Sequence, residues 1–231
     1  MNRRDLAQHL DFANHHADAT TSDIMALCAA VLKHGFHSAF VNQHYVPLAK
    51  RLLRSRASAG TVISFPLGQD TAAAKVYAAA NAARSGADEL DVSMNVGLFK
   101  ERKYALVLRE MKQVVRAAKR IKPRILVKFI IETGYLTDAE IMKAARLVVA
   151  ADADFVKTCS GYGPRGASLN DVRLIKQAIG NKAKIKVAGG ISTTEEALAF
   201  IKAGAHRIGT SHAPQIVKGA AGSGRSAASK E

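Results

Sequence analysis

Three short segments carry charged side chains among apolar and β-branched neighbours: Asp91 in ELDVSMN, Lys157 in DFVKTCSG and Lys186 in AKIKVAGG. Burial punishes a charge unless it is paired or put to use. A desolvated lysine beside another cation loses its proton readily, and the free amine attacks a carbonyl to form a Schiff base. One of Lys157 and Lys186 is then the nucleophile and the other the cation that perturbs it, with Asp91 supplying proton transfer. Lys128 and Glu132 add a second pair, four residues apart and so on one face of an extended strand. Each lysine taken singly reads equally well as an interior ion pair with Asp91 or Glu132, whereas the three groups together favour catalysis.

Other residues bear on binding. Gly189-Gly190 follows Lys186, and Gly209-Thr210-Ser211 closes a short β-like segment. Backbone N–H groups in such turns, ahead of a helix, form an anion site, although paired glycines alone make only a tight turn. His15-His16 are adjacent and His34 and His37 are three apart, with no evident third zinc ligand beside either pair. These histidines are expected on the surface or in loops, and no metal is expected. Cys28 and Cys159 form no CxxC pair, which argues against a disulfide framework or a structural zinc site. Cys28 lies on the apolar side of a helical stretch and is expected in the core.

The elements that would position these residues alternate. Strands are expected near His9–Phe12, Ser38–Asn42, Thr61–Phe65, Glu89–Met94, Ile125–Glu132, Asp154–Cys159, Lys184–Ala188 and Arg207–Thr210. Helices are expected near Ser22–Lys33, Tyr45–Arg54, Thr71–Arg84, Glu101–Arg120, Asp138–Ala151, Leu169–Ile179 and Thr194–Ala203, with a short one after Ser211. Thr21 or Ser22, Thr137 and Thr193 supply helix starts; Gly35, Gly86, Gly180 and Gly204 supply stops. Eight strands alternating with eight helices point to an α/β fold, a (β/α)8 TIM barrel, with an open doubly wound sheet as the alternative. In a barrel, catalytic groups sit at the C-terminal ends of the strands, and the loops after the seventh and eighth often bind phosphate. No GxGxxG follows the first strand, which weakens a dinucleotide-binding version of the open sheet.

The chain has 231 residues, 48% of them hydrophobic, enough for one barrel domain over 1–217. Residues 218–231 read as a disordered Gly/Ala/Ser-rich tail, since from Gly219 on there is no large apolar side chain. No apolar run approaches the about 20 residues of a membrane span, and no signal peptide is evident, so a cytoplasmic protein is expected. The net charge of +15 favours anionic partners. Ten Lys/Arg lie between Lys100 and Arg124, against Glu101 and Glu110. Tyr104, Val107, Met111, Val114, Ala118 and Ile121 repeat there at helical spacing, so this is chiefly a solvated basic helix face. Nucleic acid is not the expected partner, with Tyr104 and Phe99 the only nearby stacking groups.

From about Leu10 to Ser211 the sequence resembles the deoxyribose-phosphate aldolase family. The resemblance is carried by LDFANHHADATTSDI, ADELDVSMNVGLFK, ILVKFIIETGYLTDAEI, ADFVKTCSGYGPRGAS, KIKVAGGIST and AGAHRIGTS. It implies a (β/α)8 class I aldolase, without cofactor or metal, that reversibly cleaves 2-deoxy-D-ribose 5-phosphate to D-glyceraldehyde 3-phosphate and acetaldehyde. By that resemblance Lys157 forms the Schiff base, Lys186 lowers its pKa and shares in proton transfer, and Asp91 acts with a water. Asp11, at the end of the first strand, would orient the network, and Gly161, Gly189, Gly190, Thr210 and Ser211 would surround the phosphate. The implied partners are a small sugar phosphate and a second copy of the chain, as a homodimer.

The sequence departs from that family at several points. The hydroxyl of the usual DxTxL motif is replaced by Ala13, a second serine after Ser211 by His212, a glycine by Arg165 and a second-strand cysteine by Phe40. No tyrosine follows Tyr162, where the family often ends in one that assists proton transfer. His212 is taken as a further phosphate ligand. The alternatives are the same chemistry on a different or unphosphorylated aldehyde, or a basic nucleic-acid-binding protein.

Overall fold

The computed structural model describes residues 1–220. A short helix, α1 (Arg3–Gln8), precedes β1 (Leu10–Asn14). The chain then alternates through α2 (Thr21–His34), β2 (Ser38–Val41), α3 (Val46–Leu53), β3 (Ser58–Ile63), α4 (Ala72–Arg84) and β4 (Glu89–Ser93). Two helices follow, α5 (Val96–Lys100) and α6 (Tyr104–Ile121), before β5 (Leu126–Ile130), α7 (Asp138–Ala150) and β6 (Phe155–Lys157). The last elements are α8 (Leu169–Ile179), β7 (Lys184–Ala188), α9 (Thr194–Ala203), β8 (Arg207–Thr210) and α10 (Ala213–Gly219). Each strand pairs in parallel with the next, and β8 returns to β1, so the sheet is a closed (β/α)8 TIM barrel.

The helices begin where side chains can take up unpaired backbone donors. Thr20 with Asp23, Thr137 with Glu140, Ser168 with Asp171 and Thr193 with Glu196 form reciprocal capping boxes. Thr20, rather than Thr21 or Ser22, caps α2, because Asp23 stands three residues further on. The expected helix from Glu101 is interrupted: Arg102 takes a positive φ of 60° and separates α5 from α6. Helix α1 was not expected; its six residues bury Leu6 and Ala7, and it packs on α10. Helix α10 runs two residues past the expected domain limit at 217, and most of the expected tail, residues 221–231, lies outside the described residues.

Alternation along the strands separates two environments. Leu90, Val92, Val127, Phe129, Val156, Ile185, Val187 and Ile208 join the main apolar cluster, which also holds the buried faces of the helices. Cys28 is buried there, as expected. The opposite strand face carries Asp11, Glu89, Asp91, Lys128, Lys157, Lys186 and Arg207, together with Phe40 and Phe155. The register sets Asp91 beside Lys128, Lys157 beside Lys186, and Lys186 beside Arg207. The apolar core is therefore the layer between sheet and helices, while much of the barrel interior is ionic.

Candidate active site

Asp91 lies in the middle of β4, fully buried, and receives three ammonium groups, from the neighbouring β5 and from β6 and β7 across the barrel. Its Oδ1 accepts from Lys128 Nζ at 3.1 Å, and its Oδ2 accepts from Lys157 Nζ at 2.8 Å. Lys186 Nζ stands 2.9 Å from the same Oδ2 and 2.6 Å from Asp11 Oδ2. Beneath these, Lys128 Nζ donates to Glu89 Oε2 at 2.5 Å, and Asp11 Oδ1 accepts from Ser38 Oγ at 2.7 Å. Arg207 Nε lies 3.8 Å from Asp11 Oδ1. Aromatic faces cover the cations: Lys186 Nζ is 3.5 Å from the Phe40 ring centroid, and Lys157 Nζ is 5.8 Å from that of Phe65.

The ion pairs join three carboxylates to four Lys/Arg cations, so a charge is left over when all are ionised. The electrostatics locate the group that yields. Burial pulls the Lys157 ammonium below the usual lysine range; Asp91 opposes this, and Lys186 and Lys128 add to the lowering. Burial pushes the Asp91 carboxyl up, but Lys128, Lys157 and Lys186 outweigh it and hold the group well below the usual carboxylate range. Lys128 moves the other way: despite burial, Asp91, Glu89 and Asp11 raise it above the ordinary lysine value. Lys157 thus gives up its proton more readily than an ordinary lysine, beside a carboxylate that stays ionised, while Lys128 holds its proton more firmly than one.

These groups form the floor of a cavity of about 590 Å³, lined at its base by Asp91, Lys157 and Lys186. Its rim includes Gly161 from the loop after β6, Gly189 and Gly190 from the loop after β7, and Thr210, Ser211 and His212 at the end of β8. Nine of the ten residues singled out in the sequence therefore line one cavity. Asp11 does not line it. It is the second residue of β1 rather than the last, because the strand continues to Asn14, and it supports Lys186 from below. The Thr210 hydroxyl is already engaged, donating to Ile191 O at 2.7 Å and accepting from His212 N at 2.9 Å.

The loop after β6 is fastened by residues read differently in the sequence. Glu132 lies past the end of β5, at φ 53°, so strand alternation does not bring it onto the Lys128 face. Its Oε2 instead accepts from Ser160 N at 3.0 Å. Arg165 donates to both Asp171 oxygens, at 2.7 and 3.0 Å, and to Thr133 O at 3.1 Å. Gly166 passes so close to the β7 loop that a Cβ there would meet Gly189 O at 2.5 Å.

Two of the histidines expected on the surface or in loops lie in loops but turn inward. The His15 ring, in the loop just after β1, lines the cavity, because the alternation of Asp11 and Ala13 carries on one residue past the strand. His37 is partly buried beneath the floor, with Nε2 3.0 Å from Glu89 Oε1 and 2.7 Å from Arg207 Nη2. Asp11, His37 and Glu89 converge closely enough to resemble metal ligands. Lys128, Lys186 and Arg207 already occupy those donors, so a cation would meet competing positive charge. A larger surface groove, of about 790 Å³, lies between α4 and α6 and includes Arg109, Arg116 and Arg120 of the basic face, away from the lysines.

Comparison with known proteins identifies the family. The model of the DeoC/LacD family aldolases matches residues 5–229. The chain belongs to the DeoC/LacD aldolase family. It is 46% identical to the deoxyribose-phosphate aldolase of Carboxydothermus hydrogenoformans, over 93% of this chain and 94% of that protein. The corresponding aldolase of Thermococcus kodakarensis is 44% identical, over 95% of this chain and 99% of the relative. Among solved structures, the aldolase QR15 superposes with a TM-score of 0.87 at 37% identity, covering 93% of this chain and 95% of its own. This family member is an aldolase, a carbon–carbon lyase, and among its described residues no helix is long and apolar enough to cross a membrane.

Proposed function

We propose that the enzyme is a class I aldolase that reversibly cleaves 2-deoxy-D-ribose 5-phosphate into D-glyceraldehyde 3-phosphate and acetaldehyde. The observation that carries this reading is the lowered Lys157 ammonium sharing one Asp91 oxygen with Lys186 at the floor of the cavity. The Lys157 amine adds to C1 of the open-chain sugar, and loss of water from the carbinolamine leaves a protonated imine. Breaking the C2–C3 bond sends its electron pair into that iminium to give a neutral enamine, while C3 and its hydroxyl oxygen become the aldehyde of glyceraldehyde 3-phosphate. Protonation of the enamine at C2 and hydrolysis of the imine release acetaldehyde and restore the amine. Asp91 holds the ammonium pair and acts through water in the proton transfers, and Lys186 keeps Lys157 acidic.

The phosphate is assigned to the rim formed by Gly161, Gly189, Gly190, Ser211 and His212. With the Thr210 hydroxyl engaged, its side chain supports the rim rather than donating to the anion. Similarity to relatives named for deoxyribose phosphate supports the substrate.

The test is twofold. Borohydride added with 2-deoxyribose 5-phosphate should inactivate the enzyme and leave a reduced adduct on Lys157; no trapping would overturn the Schiff-base reading. Comparing kcat/KM for 2-deoxyribose 5-phosphate and 2-deoxyribose tests the rim, with a strong preference for the ester expected. Comparable rates would keep the aldolase and remove the phosphate assignment.

A further inference from the structure

The mechanism above leaves one polar ring of the cavity unused. His15 stands just past the end of β1, in line with the inward residues Asp11 and Ala13, and its ring lines the cavity that holds Lys157. Its centroid lies 5.2 Å from that of Phe65 and 6.5 Å from that of Phe40, the rings that also cover Lys157 and Lys186. Its Nδ1 is buried without a hydrogen-bond partner among the described residues. Such a group costs stability unless something satisfies it, and it often marks a place of function. Ala13, the other inward residue here, brings no polar side-chain atom to the cavity.

The charged groups around the ring set its state. Burial, followed by the Lys157 ammonium, lowers the imidazole to about 3; Lys186 and His16 act in the same direction, and Asp91 opposes them. At neutral pH the ring is therefore uncharged, with one nitrogen able to donate and the other to accept. That suits recognition of a hydroxyl, which also both donates and accepts. It does not suit a phosphate, which a neutral ring attracts weakly.

We propose that His15 determines specificity for β-hydroxy aldehydes by hydrogen bonding the hydroxyl on the carbon β to the carbon bound at Lys157. This rests on the Schiff-base reading above. In 2-deoxyribose 5-phosphate that hydroxyl is the one on C3, whose oxygen becomes the new aldehyde. His15 orients the hydroxyl rather than removing its proton, because an imidazole so depressed is a weak base at neutral pH.

The experiment compares two reactions on the same enzyme preparations. Cleavage of 2-deoxyribose 5-phosphate needs the β-hydroxyl. Exchange of the α-hydrogens of propanal for deuterium in D2O needs Lys157 and the enamine but has no such hydroxyl. His15→Leu should lower kcat/KM for cleavage by about tenfold to a hundredfold, the size expected when a buried hydroxyl contact is lost. Propanal exchange should stay within about threefold, a smaller change than the loss of one hydrogen bond. His15→Asn, which keeps an acceptor and a donor, should recover part of the cleavage rate. If His15→Leu does not fold, His15→Phe, which keeps an aromatic ring against Phe40 and Phe65, supplies the same comparison. Equal loss of both reactions would assign His15 a structural or general role and overturn the proposal, as would unchanged cleavage. Wild-type enzyme inactive in propanal exchange would instead refute the Schiff-base reading itself.

Discussion

Replacing Lys186 by methionine isolates the electrostatic contribution of the second lysine. Lys157 and Lys186 contact the same Asp91 oxygen at 2.8 and 2.9 Å. The two Nζ atoms can therefore be no further apart than about 5.7 Å, where two unit charges interact by about 3 kcal/mol at an effective dielectric of about 20. At that dielectric, removing the Lys186 charge lets Lys157 hold its proton more firmly by at least about that amount, about a hundredfold in free amine below its titration, and by nearer tenfold if cavity water screens the pair. Asp11, losing the ammonium 2.6 Å away, adds negative potential and pushes in the same direction. Methionine keeps most of the length and the apolar stem, so packing under Phe40 changes little. The assay is the rate of borohydride trapping with a fixed aldehyde, followed from neutral to strongly alkaline pH. Lys186→Met should be slow near neutrality and recover as the pH rises. A profile that superimposes on the wild type, or a loss equally deep at every pH, would refute the assignment of Lys186 as the perturbing cation.

Three further outcomes follow from the same network. Asp91→Asn leaves three buried ammonium groups without their shared carboxylate, so the fold should lose about 3–5 kcal/mol, read by denaturant unfolding. The Asp91 pKa is lower in the folded than in the unfolded chain, so its contribution is present above the unfolded carboxylate value of about 3.9 and fades as pH falls. Acid unfolding of Asp91→Asn should therefore be less steep than that of the wild type; parallel curves would count against this account. Gly60→Ala would drive a Cβ into the Phe40 ring, forcing that ring off Lys186 at a cost of about 1–3 kcal/mol; an unchanged Tm would show that the ring is free to move. His212→Ala should raise KM for the phosphorylated substrate while sparing unphosphorylated 2-deoxyribose, and unchanged kinetics at several pH values would remove His212 from the phosphate rim.

Much of this site was legible one residue at a time. Lys157, Lys186 and Asp91 stand out because a charge within an apolar β-branched run is costly wherever the strand ends up. The (β/α)8 order follows from alternating periods and caps, as at Thr137 with Glu140 and Thr193 with Glu196. Lys128 was visible too, but as a partner of Glu132. Its true contacts with Asp91 and Glu89 depend on how β4 and β5 register. Asp11 was misplaced because β1 begins and ends later than its apolar pattern suggests. That moves Asp11 to the base of the strand and leaves His15 in the loop just beyond it, where its ring meets the cavity.

The order of elements and the chemical character of three reactive groups are written in the chain, because periodicity and the cost of burying charge are properties of short stretches of it. Closure of the barrel sets which lysine loses its proton more readily, which holds it more firmly, and that a histidine turns into the cavity. Those outcomes depend on Coulomb interactions and buried contacts between strands far apart in the chain, and such distances exist only after the strands register and the sheet closes.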